Sequence, residues 1–233
     1  MPPRVLVVDD EEKIAEMVGG YLQASGYSPA LAFDGAQALS SFAEERPDCI
    51  VLDINMPGKD GLEVAREIRK SSNVPIIFLS ARAEEIDRIL GLELGGDDYV
   101  TKPFSPRELV SRIKAVLRRA APESLEAREG ARLIASGDIE MDTEKRQVRQ
   151  RGEPVVLTAA QFDILAFLMR RPGRVFSRAE ILEGAAGLEY EGYERTLDVH
   201  IKNIRKALGD ETATPRYIGT VRGVGYRFIE PGA

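Results

Sequence analysis

Five residues with chemically active side chains stand at the ends of short apolar runs. They are Asp9, Asp10, Asp53, Ser80 and Lys102, and the runs lie at 5–8, 49–52, 76–79 and 99–100. Open α/β sheets bind their ligands outside the carboxyl ends of their strands, so these side chains are expected at one site. Three carboxylates placed together repel one another and offer the oxygen ligands that Mg²⁺ takes. The sequence therefore predicts a cation site beside a lysine and a hydroxyl, which suit a bound phosphoryl group.

Asp53 is the predicted covalent nucleophile, because residues 1–119 contain no histidine and a carboxylate can accept a phosphoryl group directly. The cation would bridge Asp10 and Asp53 and neutralise developing charge, and Asp9 would hold a metal-bound water. Lys102 would pair with one phosphoryl oxygen, and Ser80 would donate a hydrogen bond to another.

Two other classes of protein use similar residues. A Mg²⁺-dependent phosphatase of the haloacid-dehalogenase kind needs an acid two residues after its nucleophile, and here that residue is Asn55, which cannot transfer a proton. A segment of 119 residues also leaves no space for a substrate cap. A purely structural metal module would leave Ser80 and Lys102 unexplained.

Composition narrows the setting. The chain has 233 residues, a net charge of −6 and 43% hydrophobic residues, which allows two ordinary domains with buried cores. Cys49, the single cysteine, lies in an apolar run and is expected to be buried. The sequence contains no run of 18 apolar residues, so no membrane span is predicted. The N-terminus runs straight into a predicted strand, which leaves no room for a signal peptide. We expect a cytoplasmic protein with no membrane partner.

The first half alternates strand and helix patterns. Strands are predicted at 4–8, 29–33, 49–53, 75–80 and 98–102, and helices at about 12–25, 35–46, 60–71, 84–94 and 106–119. This order predicts a doubly wound, five-stranded parallel sheet over 1–119. Residues 120–132 lack an apolar period and are predicted to form an exposed linker.

The second half, 133–233, has the pattern of an α+β winged helix-turn-helix domain. Short strands broken by turn residues over 133–157 predict a small antiparallel sheet. Helices are predicted at 159–170, 178–185 and 194–208, and a hairpin at 217–228 turns near Arg222.

The helix at 194–208 is the predicted recognition helix. A helical wheel places its core stripe and its exposed face on opposite sides. The core stripe is Leu197, Ile201, Ile204 and Leu208, and the exposed face is Arg195, Val199, Lys202, Asn203 and Lys206. His200 and Arg205 flank the stripe. Although the whole chain is acidic, residues 195–227 carry seven basic and three acidic side chains, a local excess that suits DNA phosphates.

Individual DNA contacts follow from side-chain chemistry. Val199 would pack on a thymine methyl group, and Asn203 would bond to adenine. Lys202 and Lys206 are assigned mainly to phosphates, and Arg222 at the hairpin tip to the minor groove. The predicted DNA-binding set is completed by Arg195, Thr196 and His200, the last as a structural or phosphate-contacting residue.

These features resemble a known family. Residues 1–119 resemble the receiver domain of a two-component response regulator, which has a flavodoxin-like fold, and 133–233 resemble the OmpR/PhoB-type winged-helix DNA-binding domain. The receiver pattern is carried by Asp9-Asp10, Asp53 with Met56-Pro57-Gly58 after it, Ser80-Ala81 and Lys102-Pro103-Phe104.

The resemblance implies a phosphoacceptor transcription factor and not an enzyme, apart from Mg²⁺- or Mn²⁺-dependent phosphorylation and dephosphorylation of itself. Asp53 would accept the phosphoryl group from the phosphohistidine of a sensor histidine kinase. Asn55 would lend its backbone carbonyl to the metal, Ser80 would be the switch hydroxyl, and Tyr99 would turn inward when Ser80 moves. The alternative, a constitutive DNA binder of the same architecture, would not need these residues.

The resemblance also implies partners. In this family the predicted helix at 84–94, the last strand and the last receiver helix form a symmetric dimer face on phosphorylation. The implied intermolecular pairs are Arg88–Glu108, Asp98–Arg112 and Asp97–Arg119. Two protomers would bind direct repeats of DNA. The loop Gly184–Glu194 is left open between a flexible surface loop and a contact with RNA polymerase.

Overall fold

The short apolar runs in the first half form a parallel sheet in the order β2-β1-β3-β4-β5. The structure is a computed structural model that describes residues 2–80, 96–120, 133–186 and 194–229, without the side chains at 119–120, 186 and 194–196. The strands are β1 (Arg4–Val8), β2 (Ser28–Ala32), β3 (Cys49–Asp53), β4 (Ile76–Ser80) and β5 (Asp98–Thr101). All five lie within one residue of their predicted bounds.

Helices follow the strands as the sequence predicts. They are α1 (Glu12–Ala24), α2 (Gly35–Glu45), α3 (Gly61–Arg69) and α4 (Pro106–Ala120). Side-chain caps explain two of the starts: Asp34 accepts the backbone N–H groups of Ala36 and Gln37, and Asp60 forms a capping box with Glu63. The helix predicted at 84–94 and the linker residues 121–132 lie outside the described residues.

Alternate residues of each strand pack on opposite faces of this sheet, as the pleat requires. Leu6, Leu52 and Phe78 belong to one apolar cluster, whereas Val7 and Val51 belong to another. Both faces of the sheet are covered, so the middle residues of the strands are apolar, and polar residues stand at the strand ends.

The register decides where the polar residues lie. Asp53 on β3 is paired with Leu79 on β4, and Ser80 is paired with Thr101 on β5. The carboxyl ends of β1, β3, β4 and β5 therefore meet at one edge of the sheet, where Asp9 and Lys102 follow directly.

The second half begins with an antiparallel sheet of four strands in sequence order. They are β6 (Leu133–Ser136), β7 (Ile139–Asp142), β8 (Gln147–Gln150) and β9 (Glu153–Val155). Three helices follow, α5 (Ala159–Met169), α6 (Arg178–Ile181) and α7 (Glu194–Leu208), together with a small sheet of β10 (Phe176–Ser177), β11 (Ile218–Val221) and β12 (Gly225–Phe228). This is the predicted winged helix-turn-helix pattern.

α5 is the central helix of this half, since nine of its eleven residues are buried. The helix predicted at 178–185 is shorter than expected, because α6 passes at Leu182 into a π-helical turn that ends at Ala186. Gly184 in this turn lies against the ring of Phe167, where a Cβ atom would come within 2.2 Å of a ring carbon.

The chain divides into two compact units, Met1–Leu117 and Arg118–Ala233. Among the described residues, no helix combines the length and the apolar character needed to cross a bilayer.

Candidate functional site

The three aspartates predicted at the sheet edge lie together. Carboxylate oxygens of Asp9, Asp10 and Asp53 are all within 4.8 Å of one another. Asp9 is fully buried and Asp53 is 3% exposed, whereas Asp10 faces solvent. One open side and two enclosed carboxylates make a site that a small ligand can enter from the solvent.

Lys102 lies between the two buried carboxylates. Its Nζ atom is 2.7 Å from Asp9 Oδ2 and 2.8 Å from Asp53 Oδ2. Its backbone N–H donates to the carbonyl of Ser80 at 2.7 Å, so the lysine is tied to the end of β4. A single ammonium group thus faces two buried carboxylates and the nearby Asp10.

The excess of carboxylates over ammonium groups affects the pKa values of Asp9 and Lys102. Burial raises the pKa of the Asp9 carboxyl, and this effect outweighs the hydrogen bond and the charge of Lys102. Burial alone would lower the pKa of Lys102, but its hydrogen bonds to Asp53 and Asp9 raise it. The lysine therefore stays charged, but its charge does not fully offset the cost of burying the Asp9 carboxylate.

A divalent cation fits this donor set. The three carboxylates are hard oxygen ligands, and a buried acid with a raised pKa is stabilised by an added positive charge. The described residues of this cluster contain no thiolate or imidazole, which a softer metal would prefer.

Ser80 and Asn55 lie beside the nucleophile. Ser80 is fully buried at the end of β4, and the side-chain amide of Asn55 donates to its Oγ at 3.3 Å. The backbone N–H of Asn55 donates to Asp53 Oδ1 at 3.3 Å. Tyr99 is buried in the same apolar cluster as Phe78, so its ring points into the protein in this structure.

Gly61 supports the site, although no motif in the sequence marks it. A Cβ atom at Gly61 would lie 2.0 Å from the backbone oxygen of Asp53. Its N–H donates to the carbonyl of Ile54 at 3.0 Å, which closes the loop after β3. The only signal in the sequence is a glycine at the start of a predicted helix, which has several common explanations.

Four of the six charged residues predicted for the dimer face have described side chains, and these four are paired within the chain. Arg112 binds Asp98 at 3.1 Å and Glu108 at 2.9 Å, and both contacts are intramolecular. Asp97 is 2% exposed and accepts from Arg69 at 3.1 Å and from the N–H of Ile76 at 3.0 Å. Residue 88 and the side chain of Arg119 lie outside the described residues.

These intramolecular contacts reduce the number of charges that the predicted dimer face presents to a partner. The resemblance places Asp97 and Asp98 on a dimer face, but Asp98 begins β5, Asp97 directly precedes it, and both are largely enclosed. Intermolecular pairs involving Asp98 and Arg112 would have to replace contacts that each protomer already makes.

The described side chains of α7 agree with the helical wheel except at one position. Leu197, Ile201, Ile204 and Leu208 are buried in the core, and Lys202 and Lys206 are exposed. Asn203 is partly exposed, and His200 is buried, which leaves it little surface for a phosphate. The side chains of Arg195 and Thr196 lie outside the described residues.

The prediction that Val199 is exposed is wrong. Val199 lies opposite the core stripe but is only 6% exposed. A helical wheel separates the face that packs on the core from the opposite face, and it assumes that the opposite face is exposed. Val199 is buried on that opposite face, so another part of the chain must cover it there. Val199 therefore has almost no accessible surface for a thymine methyl group in this conformation.

The hairpin of β11 and β12 turns at 222–224, and Arg222 is exposed in the turn. Gly225 lets β12 approach β10, because a Cβ atom there would lie 2.1 Å from the carbonyl oxygen of Phe176. The described part of this half therefore presents a basic helix and an arginine-tipped hairpin.

Comparison with known proteins identifies the two halves. Residues 5–114 match the response regulator receiver domain family, and residues 152–228 match the family described as transcriptional regulatory protein, C terminal. The sensory transduction protein RegX3 of Mycolicibacterium smegmatis is 42% identical over 223 residues, 96% of this chain and 97% of that protein. The chain belongs to the OmpR/PhoB family of response regulators.

Other similar proteins also match nearly the full length of the chain. The DNA-binding response regulator MtrA of Mycolicibacterium smegmatis is 41% identical over 231 residues, 99% of each chain. The crystal structure of DrrB, an OmpR/PhoB homologue from Thermotoga maritima, is 33% identical with a TM-score of 0.51, covering 98% of this chain and all of that one. A RitR mutant is 26% identical with a TM-score of 0.77 over the same shares.

The receiver assignment separates the first unit from the haloacid-dehalogenase class of phosphatases. The protein is a DNA-binding response regulator of a two-component system.

Proposed function

We propose that Asp53 is the phosphoacceptor of this response regulator and that its phosphorylation by a sensor histidine kinase controls binding to DNA. The observation that carries the proposal is the geometry around Asp53: its carboxylate lies 2.8 Å from Lys102 Nζ and within 4.8 Å of the carboxylates of Asp9 and Asp10. It is the only one of the three that ends a strand, since it is the last residue of β3. Ser80 ends the neighbouring strand β4, and Lys102 directly follows β5.

Asp10, Asp53 and the backbone carbonyl of Asn55 would hold Mg²⁺ or Mn²⁺, with Asp9 acting through a bound water. When bound, the cation supplies positive charge that stabilises the transferring phosphoryl oxygens. The described residues supply the rest of the site. Lys102 is already held at Asp53 and stays charged, so it can pair with a phosphoryl oxygen once one is present.

In the transfer itself, a carboxylate oxygen of Asp53 forms a bond to phosphorus as the bond from phosphorus to the histidine nitrogen of the kinase breaks. Ser80 would then exchange its contact with Asn55 for a phosphoryl oxygen, 3.3 Å being a weak hydrogen bond. This movement is the proposed start of the switch that involves Tyr99.

The protein should take up phosphate from acetyl phosphate only when Mg²⁺ is present, and only at Asp53. Intact-mass analysis of wild type and Asp53→Asn, each with Mg²⁺ or with a chelator, tests this directly. Asp48→Asn is a matched control, since it neutralises an acid just before β3, at the end of that strand opposite to Asp53. An equal phosphoadduct on Asp53→Asn would show that another residue is the acceptor.

We further propose that α7 enters the major groove and that the hairpin tip contacts the minor groove. Lys202 and Lys206 are exposed and would contact phosphates, the partly exposed Asn203 would contact adenine, and Arg222 is exposed at the hairpin tip. Two protomers would occupy direct repeats after the receivers pair.

Selection from a pool of random duplexes by the phosphorylated full chain tests the output. A sequence containing two repeated half-sites should be enriched and should bind at least about a thousandfold more tightly than the unselected pool. If no sequence is enriched, the proposal of specific DNA binding fails. If a single half-site is enriched, specific DNA binding stands and only the proposal of direct repeats fails.

A further inference from the structure

Three side chains join the three elements that surround the proposed DNA-binding face. Arg178 is the first residue of α6, Asp198 lies on α7, and Tyr226 lies on β12. Arg178 Nε donates to Asp198 Oδ1 at 2.8 Å, and its terminal nitrogen donates to Oδ2 at 3.3 Å. The hydroxyl of Tyr226 donates to Asp198 Oδ1 at 2.7 Å. We call these three residues the Asp198 clamp.

Asp198 is an unexpected residue type at this place. It precedes Lys202 by four residues, so the two lie on the same side of α7. Its side chain is 42% exposed. A free carboxylate beside a phosphate-binding surface would repel the DNA backbone, and this cost has to be offset by another role.

The clamp neutralises this charge and uses it to join the elements. Hydrogen bonds to a charged group are stronger than neutral ones, and the two from Arg178 form a bidentate pair. The guanidinium carbon of Arg178 also lies 5.3 Å from the centre of the Tyr226 ring. Desolvation by burial, followed by the bond to Asp198, raises the pKa of Tyr226 to about 12, so the hydroxyl remains a donor at physiological pH.

A second contact joins the same helix to the other strand of the hairpin. Arg205 on α7 donates to the carbonyl of Ile218 at 2.6 Å and to Thr220 Oγ1 at 2.8 Å. Arg205 is buried, and it lies two turns after Asp198. The two contacts hold α7 to the hairpin at two points, which fixes the direction of one relative to the other.

We propose that Asp198 is a positioning residue for DNA recognition, which fixes the angle between α7 and the hairpin so that both reach one duplex. This rests on the proposed function above. A rigid angle lowers the ordering cost of specific binding, where both elements must fit at once. Non-specific binding needs only positive charge and gains little from that rigidity.

Specific and non-specific affinity should therefore respond in opposite directions to Asp198→Asn. The variant weakens the clamp and removes one negative charge from the surface. Binding to the unselected duplex pool should strengthen, and binding to the enriched duplex should weaken. Together these changes should lower the ratio of the two affinities by about tenfold or more, the size expected when a charge-assisted hydrogen bond is lost. Anisotropy titrations of the full chain on both probes at several salt concentrations measure this ratio.

Tyr226→Phe tests the clamp without changing any charge. It removes only the hydroxyl, so the ratio should fall by a smaller factor while the salt dependence on both probes stays the same. Because Asp198→Asn could unfold the domain, thermal unfolding of each variant is measured alongside. If Asp198→Asn does not fold, the result for Tyr226→Phe decides.

Two controls separate positioning from charge and from stability. Glu140→Gln makes the same charge change at an exposed residue of β7 and should leave the ratio unchanged. Tyr217→Phe removes a hydroxyl that bonds Asp138 at 2.7 Å, so it should lower stability while keeping the ratio.

The outcomes distinguish this inference from the proposed function. If wild type enriches no sequence, specific DNA binding itself fails and the inference fails with it. If wild type enriches a sequence and both Asp198→Asn and Tyr226→Phe keep the wild-type ratio, Asp198 does not position the helix. A lowered ratio in Glu140→Gln equal to that in Asp198→Asn would also overturn the inference, because net charge would explain the effect.

Discussion

At the scale of single residues, the proposed phosphorylation site is built from groups that destabilise one another. Asp9 is fully buried, and its pKa is raised because burial disfavours the charged form more than Lys102 favours it. A protein selected for stability alone would replace such an acid with a neutral residue. Keeping it is consistent with a site prepared for a cation.

We expect Asp9→Asn to stabilise the metal-free protein and to reduce its response to Mg²⁺. Asparagine has nearly the shape of aspartate and removes the buried charge, while Lys102 keeps its contact with Asp53 at 2.8 Å. Thermal unfolding with chelator and with saturating Mg²⁺ measures both effects. A lower midpoint for Asp9→Asn in chelator would contradict the assignment, and Asp48→Asn, just before β3, is a control acid outside the site.

The same residue predicts a dependence on pH. The folded-state pKa of Asp9 is raised above its ordinary value of 3.8, so this group contributes stability at low pH that is lost as the pH rises through the folded pKa. The difference in unfolding free energy between wild type and Asp9→Asn should therefore widen with rising pH above about 4 in chelator. Saturating Mg²⁺ should reduce that difference.

At the scale of elements, two close backbone approaches shape the functional surfaces. The loop after β3 returns to the strand end at Gly61, and β12 reaches β10 at Gly225. Neither approach leaves space for a side chain. The position of Asp53 thus depends on how α3 begins as well as on β3.

Replacing Gly61 with alanine should destabilise the receiver and slow phosphorylation of Asp53. The new Cβ would lie 2.0 Å from the Asp53 carbonyl oxygen, so the loop or the strand end must move. Gly20→Ala is the matched control, because Gly20 lies on α1 and a Cβ atom there would have nothing within 4 Å. That change should stabilise by about 0.5–1 kcal/mol and leave phosphorylation unchanged. Denaturant unfolding and acetyl phosphate kinetics measure both, and equal behaviour of the two variants would show that the close approach does not matter.

At the scale of the whole molecule, the predicted dimer would form its contacts from residues that are already paired within each chain. Arg112 holds Asp98 and Glu108 within the chain, and Asp97 holds Arg69. A dimer that uses these charges would exchange internal pairs for intermolecular ones. Because each intermolecular pair would replace an existing internal pair, the gain per pair would be small. The network as a whole would have to provide the gain, and salt should weaken its exposed members.

Arg112→Gln should lower both the stability of the unphosphorylated receiver and the dimerisation of the beryllofluoride-activated protein. The first effect follows because Asp98 would lose its cation while it is 3% exposed. Lys114→Gln on the same helix removes an exposed charge and should change neither. Sedimentation and thermal unfolding separate the effects. Normal dimerisation of Arg112→Gln would limit Arg112 to a structural role.

The sequence alone determined the strands, their order of appearance and the residues that end them. These follow from local signals: apolar runs of strand length, helical periodicity and turn residues. Because parallel strands share one carboxyl edge, the cluster of Asp9, Asp53 and Lys102 could be predicted once the strands were known. The basic face of α7 and the exposed Arg222 followed in the same way.

Only the tertiary structure decided which neighbours each residue meets. A helical period shows one buried face, so it could not show that Val199 is covered from the other side. Charge in a sequence does not reveal its partner, so the intramolecular pairs of Asp97 and Asp98 and the joining role of Asp198 were not predictable. These contacts link residues that are 14 to 28 positions apart, and their geometry exists only when the elements that carry them have packed.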